Sequence, residues 1–232
     1  MTNTRKIKRL YDLDENGHLG FSENEIATLE QQLQLSLPEK LREYYLTLGK
    51  NEAINYSHNR LLKPGKAIGF SDDRYLVFYE ENQRAACWGI KEEDLLQSDP
   101  PVWANYGTSA APVWTLETKT TTGFLLLMAI YNGTLGGLKY HANALEQITP
   151  ATVDAITQNW TEVPDISWER QKVYTKNFYE VISLSFDEQH TCTGIFAGTS
   201  DQERFDRLLD TLDVDWSYIS YEDEDGEEEE EE

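Results

Sequence analysis

The chain has 232 residues, with 42 acidic against 20 basic side chains and a formal charge of −22. Such a balance argues against nucleic acid as a partner, because a phosphate-binding body needs a basic stripe, and the one basic cluster (Arg5, Lys6, Lys8, Arg9) lies in a terminal segment. No apolar run approaches the roughly 18 residues of a membrane span, and Met1 to Lys8 lack the apolar segment of a signal peptide, so no membrane partner is expected and the cytosol is the expected compartment.

Residues 222–232 contain ten acidic residues and one glycine; taking those ten from −22 leaves −12 on the body. A like-charge run of this kind is expected to be a disordered tail. An acidic body favours basic partners and fast, salt-sensitive association, although net negative charge also serves plain solubility. Six Trp, thirteen Tyr and eight Phe point to a core dominated by large rings. Cys87 and Cys192 stand in no metal-type or redox-type pair and sit in apolar surroundings, which favours buried free thiols.

In chain order, the first motif is Asp12-Leu13-Asp14-Glu15-Asn16-Gly17-His18-Leu19-Gly20-Phe21-Ser22-Glu23, which fits a calcium-loop pattern. Asp12, Asp14, Asn16, His18 and Glu23 take the ligand positions and Gly17 the turn. Against this, the preceding segment is short for an entering helix, no second loop of the kind exists, and Ser22 with Glu25 forms a capping box that starts a helix at Ser22. The competing reading is an Asp/Asn/Gly turn feeding a capped helix, with no cofactor. Ile26, Leu29 and Leu33 share one face of that helix. Pro38 opens the next helix, Leu41, Tyr44, Tyr45 and Leu48 give it an apolar side, and Gly49 is the expected C-cap. Residues 50–66 read as a polar connection.

Tyr75 to Tyr79 and Ala85 to Ile90 are strands joined by the polar turn Glu80-Glu81-Asn82-Gln83, a hairpin. Asp99-Pro100-Pro101-Val102 is an extended passage, and Val113 to Leu116 another strand. Phe124 to Tyr131 is a buried run read as a helix, with a threonine to start it and Asn132-Gly133 to end it. Thr149-Pro150 opens a helix to about Trp160. The boundary is placed at Glu162-Val163-Pro164-Asp165. Beyond it come a strand at Phe178 to Ser185, a turn at Asp187 to His190, and a strand at Cys192 to Ala197. A helix capped by Ser200 and Glu203 follows, then a last strand within Trp216 to Tyr221.

Leu37-Pro38-Glu39-Lys40-Leu41-Arg42-Glu43-Tyr44-Tyr45-Leu46-Thr47-Leu48-Gly49 is a Leu-Pro pair before an aromatic-rich helix ending in Gly. Together with the strand running into Glu81-Asn82-Gln83, Trp88-Gly89 and Asp99-Pro100-Pro101-Val102, it resembles the SMI1/KNR4 family of the SUKH superfamily. The resemblance runs from Ser22 to Trp160. It implies an α+β fold, a curved mixed β-sheet with packed helices, for residues 1–164. A C-terminal ββαβ extension over 165–221 and the tail 222–232 lie outside it. For many bacterial members the family implies an immunity protein that neutralises a toxin.

No catalytic constellation is legible. His18, His58, His141 and His190 stand in no metal-type spacing, no nucleophile elbow occurs, and Gly133-Thr134-Leu135-Gly136-Gly137 lacks the Lys-Ser/Thr of a phosphate loop. Glu80 and Glu81 are adjacent on a strand and point to opposite faces. The expectation is therefore a non-enzymatic protein that binds and stoichiometrically inhibits a basic toxin domain, such as a nuclease. Glu80, Glu81, Asn82, Gln83 and Asp99, the polar residues matching the family motif, are the candidate partner contacts. The same residues can instead serve local turn hydrogen bonds. The alternative function is a regulatory adaptor, responsive to calcium if the loop at Asp12 binds it.

Overall fold

The computed structural model describes residues 1–108 and 111–221. The acidic tail expected at 222–232 lies outside the described residues. In chain order the elements are helices α1 (Asn3–Leu10), α2 (Glu23–Leu33), α3 (Glu39–Thr47) and the short α4 (Glu52–Asn55). Strands β1 (Arg60–Leu61), β2 (Gly69–Phe70), β3 (Tyr75–Glu80), β4 (Cys87–Lys91), β5 (Val102–Asn105) and β6 (Trp114–Thr118) follow, then helix α5 (Thr121–Asn132). The remainder is β7 (Tyr140–Ala144), α6 (Pro150–Asn159), β8 (Thr161–Glu162), β9 (Gln171–Thr175), β10 (Glu180–Phe186), β11 (Cys192–Thr199), α7 (Gln202–Thr211) and β12 (Tyr218–Ile219).

The chain forms two compact units. One comprises residues 1–4 and 14–132, the other residues 5–13 and the chain from Gly133 onward. The division falls at Asn132/Gly133 and not at Pro164, because β7, β8 and α6 share their sheet and core with the strands that follow. The class is α+β, but the expected mixed sheet is corrected: the strand pairings of both sheets are antiparallel. Hairpins join β3 to β4 and β10 to β11, β7 meets β11 and β12 only after intervening elements, and among the described residues no strand pair is parallel.

In the first unit the sheet order is β1-β3-β4-β5-β6, with β2 also paired to β3. Leu76, Phe78, Tyr79, Trp88, Ile90, Val102 and Ala104 are buried on one face. They meet α5, whose Phe124 ring lies 5.3–5.8 Å from Tyr79, Phe78 and Trp88. Leu125 to Ile130 are buried throughout, which is why the helix is apolar all round. Its first turn is capped twice. Thr120 Oγ1 accepts from the Gly123 amide (3.1 Å) and Asp99 accepts from the Thr122 amide (2.9 Å) and hydroxyl (2.6 Å).

The Ser22 capping box forms as expected. The Glu25 amide donates to Ser22 Oγ, and the Ser22 amide donates to Glu25 Oε2 (2.7 Å). Those hydrogen bonds to Ser22, with Lys50 3.1 Å away, hold the Glu25 carboxyl down at about 2. A depressed carboxyl stabilises the fold above its unfolded value of 4.5, and that contribution is lost as pH falls through about 2. Ser22→Ala is expected to cost about 1 kcal/mol in urea unfolding at pH 7, with a smaller loss below pH 3.

Two caps differ from expectation. Helix α3 ends at Leu48 with no left-handed residue, and Gly49 is needed for close approach: a Cβ there would meet Tyr45 O at 2.7 Å and Phe21 Cδ2 at 2.8 Å. Helix α7 is capped by Asp201, whose side chain accepts from the Arg204 amide (2.9 Å), while the Ser200 hydroxyl donates to Leu10 O. The expected polar connection at 50–66 contains α4, which Asn51 caps.

The second unit is built on the sheet β12-β7-β11-β10-β9-β8. Ile182, Leu184, Ile195 and Ala197 bury one face against Ile156 and Trp160 from α6 and its end, and Leu208 and Leu212 from α7 and its end. Strand β9, flanked by polar residues, was not foreseen. Among the described residues no helix is long and apolar enough to cross a membrane.

Candidate protein interface

The first sheet presents its second face outward, and cross-strand register decides which residues stand together on it. Glu80 pairs with Cys87, Cys87 with Asn105, and Asn105 with Trp114, so these four form one row across β3, β4, β5 and β6. The next row is Val77, Gly89, Trp103 and Leu116. Glu80 reaches this face only because of a bulge between Val77 and Tyr79. Strict alternation from Tyr75 would turn Glu80 inward beside Leu76 and Phe78; the extra residue reverses the parity.

A groove of about 560 Å³ crosses this face, lined among others by Asp72, Asp73, Glu80, Cys87, Asn105 and Trp114. Phe70 and Trp114 supply its aromatic lining. The Trp114 ring stacks on Tyr75 at 3.8 Å and 8°, and its indole N–H donates to Asp73 Oδ2 (3.0 Å). Trp103 meets Tyr75 edge-on at 6.4 Å, with Lys91 Nζ 4.0 Å above the Trp103 ring. Gly89 leaves room for this layer, since a Cβ there would lie 3.2 Å from Tyr75 Cβ. Glu80 is flanked by Arg60 and Arg84, each at 3.8 Å. Such loose, partly exposed pairs hold little energy and exchange readily for another cation. The Cys87 thiol in the row is half-buried; burial first, then the Glu80 charge, pushes its pKa up, so it is protonated and unreactive at neutral pH.

The other sequence candidates are placed elsewhere. Glu81 Oε2 accepts from the amides of Gln83 (2.8 Å) and Ala85 (3.0 Å), closing the hairpin turn. The Asn82 side-chain nitrogen lies 3.3 Å from His58 Nδ1, and its backbone carbonyl accepts from Arg60. Gln83 is exposed at the tip. Asp99 caps α5. Of the five, Glu80 alone lines the groove. Asp72, Asp73, Tyr75 and Trp114 were not among the candidates; the Asp-Asp pair before a strand was the legible signal for the first two, but their meeting with Trp114 depends on three strand registers.

In the calcium-type loop, Asp12 has a left-handed backbone (φ 50°) and Asp14 Oδ1 accepts from the Asn16 amide (2.9 Å), a turn interaction. Asn16 and His18 are exposed, and the Glu23 carboxylate is paired with Arg42 at 2.6 Å. Among the described residues no group of three His, Cys, Asp or Glu side chains gathers in a way that could hold a metal ion.

On the inward side of β6, Glu117 accepts from the Tyr106 hydroxyl (2.9 Å) and lies at the Trp88 indole N–H. Burial raises its pKa against both of these contacts. A raised carboxyl opposes folding once ionised, so Glu117→Gln is expected to raise the melting temperature at pH 7, with the gain shrinking as pH falls toward the normal glutamate value of 4.5 and gone below it. Parallel thermal melts at pH 4 and pH 7 check this.

Comparison with protein-family models, with curated proteins and with solved structures returned no match, so the family resemblance rests on the residues quoted for it.

Proposed function

We propose that this protein is a non-catalytic, immunity-type inhibitor that binds a basic protein toxin through the outward face of its first sheet, and that residues of the first unit form a SUKH-like domain. The observation that supports this most directly is the groove lined by Asp72, Asp73, Glu80 and Trp114, with Tyr75 stacked on Trp114. Acidic side chains beside a fixed aromatic platform suit a cationic partner. The field of a body carrying excess negative charge speeds the encounter, and Trp114 and Tyr75 provide the anchor once docked. Inhibition follows from covering the partner's cationic substrate cleft and requires no bond chemistry.

The test is affinity capture from the native cells, followed by titration of the captured basic protein's activity with this chain. Activity falling to zero at one equivalent, with hydrogen-exchange protection on β3 and β6, would support the reading. A partner that keeps full activity when saturated, or protection confined to the other unit, would overturn it.

A further inference from the structure

In a chain of net charge −22, one cavity of the second unit is walled by cations. It measures about 360 Å³, within the usual range of small-ligand pockets. Helix α7 supplies one side: Arg204, Arg207, Leu208 and Thr211 fall at i, i+3, i+4 and i+7 and so share a face. Asn159 and Trp160 at the end of α6, Lys176 after β9 and Glu180 on β10 complete the lining. The one carboxylate in the wall is turned to internal use. Glu180 is 5% exposed, accepts from the Trp160 indole N–H (2.8 Å), and has Arg204 Nη1 at 4.0 Å. Three cations thus face one carboxylate, which leaves two positive charges in excess within the wall. Arg207 stands 3.7 Å from Glu203, outside the lining, in a pair whose side chains are 63% and 88% exposed and which a better anion displaces at little cost.

The turn that carries Lys176 is strained. The Tyr179 amide donates to Lys176 O (3.2 Å), and Asn177 and Phe178 between them both have left-handed backbone (φ 57° and 58°), a type I′ turn. Phenylalanine rarely adopts that conformation, and strain of this kind collects at binding sites. Further cations gather on the same turn. Lys6 Nζ lies 4.9 Å from the Phe178 ring centre, and the Arg9 and Arg204 guanidiniums lie 5.0 Å and 4.6 Å from the one Tyr179 ring. Among the described residues, rings and the Asn177 carbonyl, not carboxylates, hold Lys6, Arg9 and Lys176. Like charges gathered this way repel one another, and a bound anion relieves the repulsion.

We infer that this pocket binds a small phosphomonoester whose remainder carries hydroxyl groups, the class of the sugar phosphates. A phosphoryl group is close to a dianion at neutral pH, which matches the two excess positive charges. The Arg207 fork meets two of its oxygens and Lys176 acts as a point charge on the third. The rest of the lining selects the remainder of the ligand. Trp160 and Leu208 are buried and offer little apolar surface, which disfavours an aromatic base or an acyl chain. Asn159 Nδ2 donates to Ala155 O (2.8 Å), which keeps its Oδ1 as an acceptor, and the Thr211 hydroxyl donates to Arg207 O (2.6 Å), which keeps its lone pairs. Two acceptors beside the cations suit hydroxyl protons on the body of the ligand.

The test is isothermal titration calorimetry of the full chain at low ionic strength with three probes: inorganic phosphate, glucose phosphorylated on its primary hydroxyl, and glucose itself. The expected result is one-to-one binding of the phosphorylated sugar, weaker binding of inorganic phosphate, and none of glucose. Arg207→Gln and Lys176→Gln are each expected to weaken the phosphorylated sugar by about tenfold to a hundredfold. Both residues are exposed, so neither change disturbs the core, and an unaltered melting temperature without ligand verifies this. Arg170→Gln, in the same unit but outside the lining, is the control and is expected to leave the affinity unchanged. The inference is overturned if neither phosphate probe binds at millimolar concentration, if binding ignores Arg207→Gln and Lys176→Gln, or if Arg170→Gln weakens it as much as they do. Equal affinity for inorganic phosphate and the phosphorylated sugar would overturn the assignment of the hydroxylated remainder. None of these outcomes depends on toxin binding.

Discussion

Replacing Asn132 with alanine is expected to destabilise the protein by about 3–5 kcal/mol, the largest single effect anticipated outside the apolar core. Asn132 is fully buried at the end of α5. Its Oδ1 accepts from the Asn59 amide (2.8 Å), and its Nδ2 is shared among Ile54 O (2.8 Å), Asn59 O (2.9 Å) and the Tyr79 hydroxyl (3.1 Å). The backbone carbonyl accepts from the Ser57 hydroxyl (3.0 Å). One amide thus ties α4, the approach to β1, and β3 to the end of α5. Truncation strands a buried amide and two buried carbonyls, each carrying a desolvation cost of about 1–3 kcal/mol. Against a total stability on the order of 5–15 kcal/mol, this is enough to populate the unfolded state at modest denaturant. Urea unfolding of Asn132→Ala beside Tyr79→Phe checks the account. The second variant removes one partner and leaves the hub, so it is expected to lose only about 1 kcal/mol. Equal losses would show that the network is not centred on Asn132.

Reversing charge at Asp72 and Asp73 together is expected to slow association with a basic partner by roughly tenfold to a hundredfold at low salt. Both residues are exposed in the groove. Asp73 also fixes the Trp114 indole, so the variant removes steering and loosens the anchor at once. Two readouts separate these effects. Loss of steering appears in the on-rate and vanishes as salt screens the charges, whereas a loosened Trp114 appears in the off-rate at any salt. Asp154→Lys with Asp210→Lys, at exposed positions of α6 and α7 in the other unit, is the charge-matched control and is expected to change the on-rate far less. Equal slowing by that pair would move the steering field away from the groove and remove the main support for that site.

Much of the local structure was legible because it is governed by near neighbours. Ser22 with Glu25, Thr149-Pro150, the hairpin at Tyr75–Ile90 and the apolar helix at Phe124–Tyr131 all formed where the chain chemistry placed them. The misses share a cause. Asp99 reads as a turn residue before two prolines, yet it caps a helix beginning 22 residues later. Ser200 has the spacing of a cap, yet tertiary contact gives its hydroxyl to Leu10 O and leaves Asp201 to cap α7. Pro164 reads as a boundary, yet β8 and β9 pair across it.

The sequence by itself determined the acidic character, the α+β class and the positions of most helices, since charge counts and capping chemistry need no distant partner. Tertiary structure alone decided what stands on the outward face. A single extra residue near Phe78 turns Glu80 outward, and three antiparallel registers bring Cys87, Asn105 and Trp114 into line with it. Side-chain direction in a strand has a period of two, so a shift of one residue inverts a face, and nothing in the local composition of Tyr75–Glu80 records that shift.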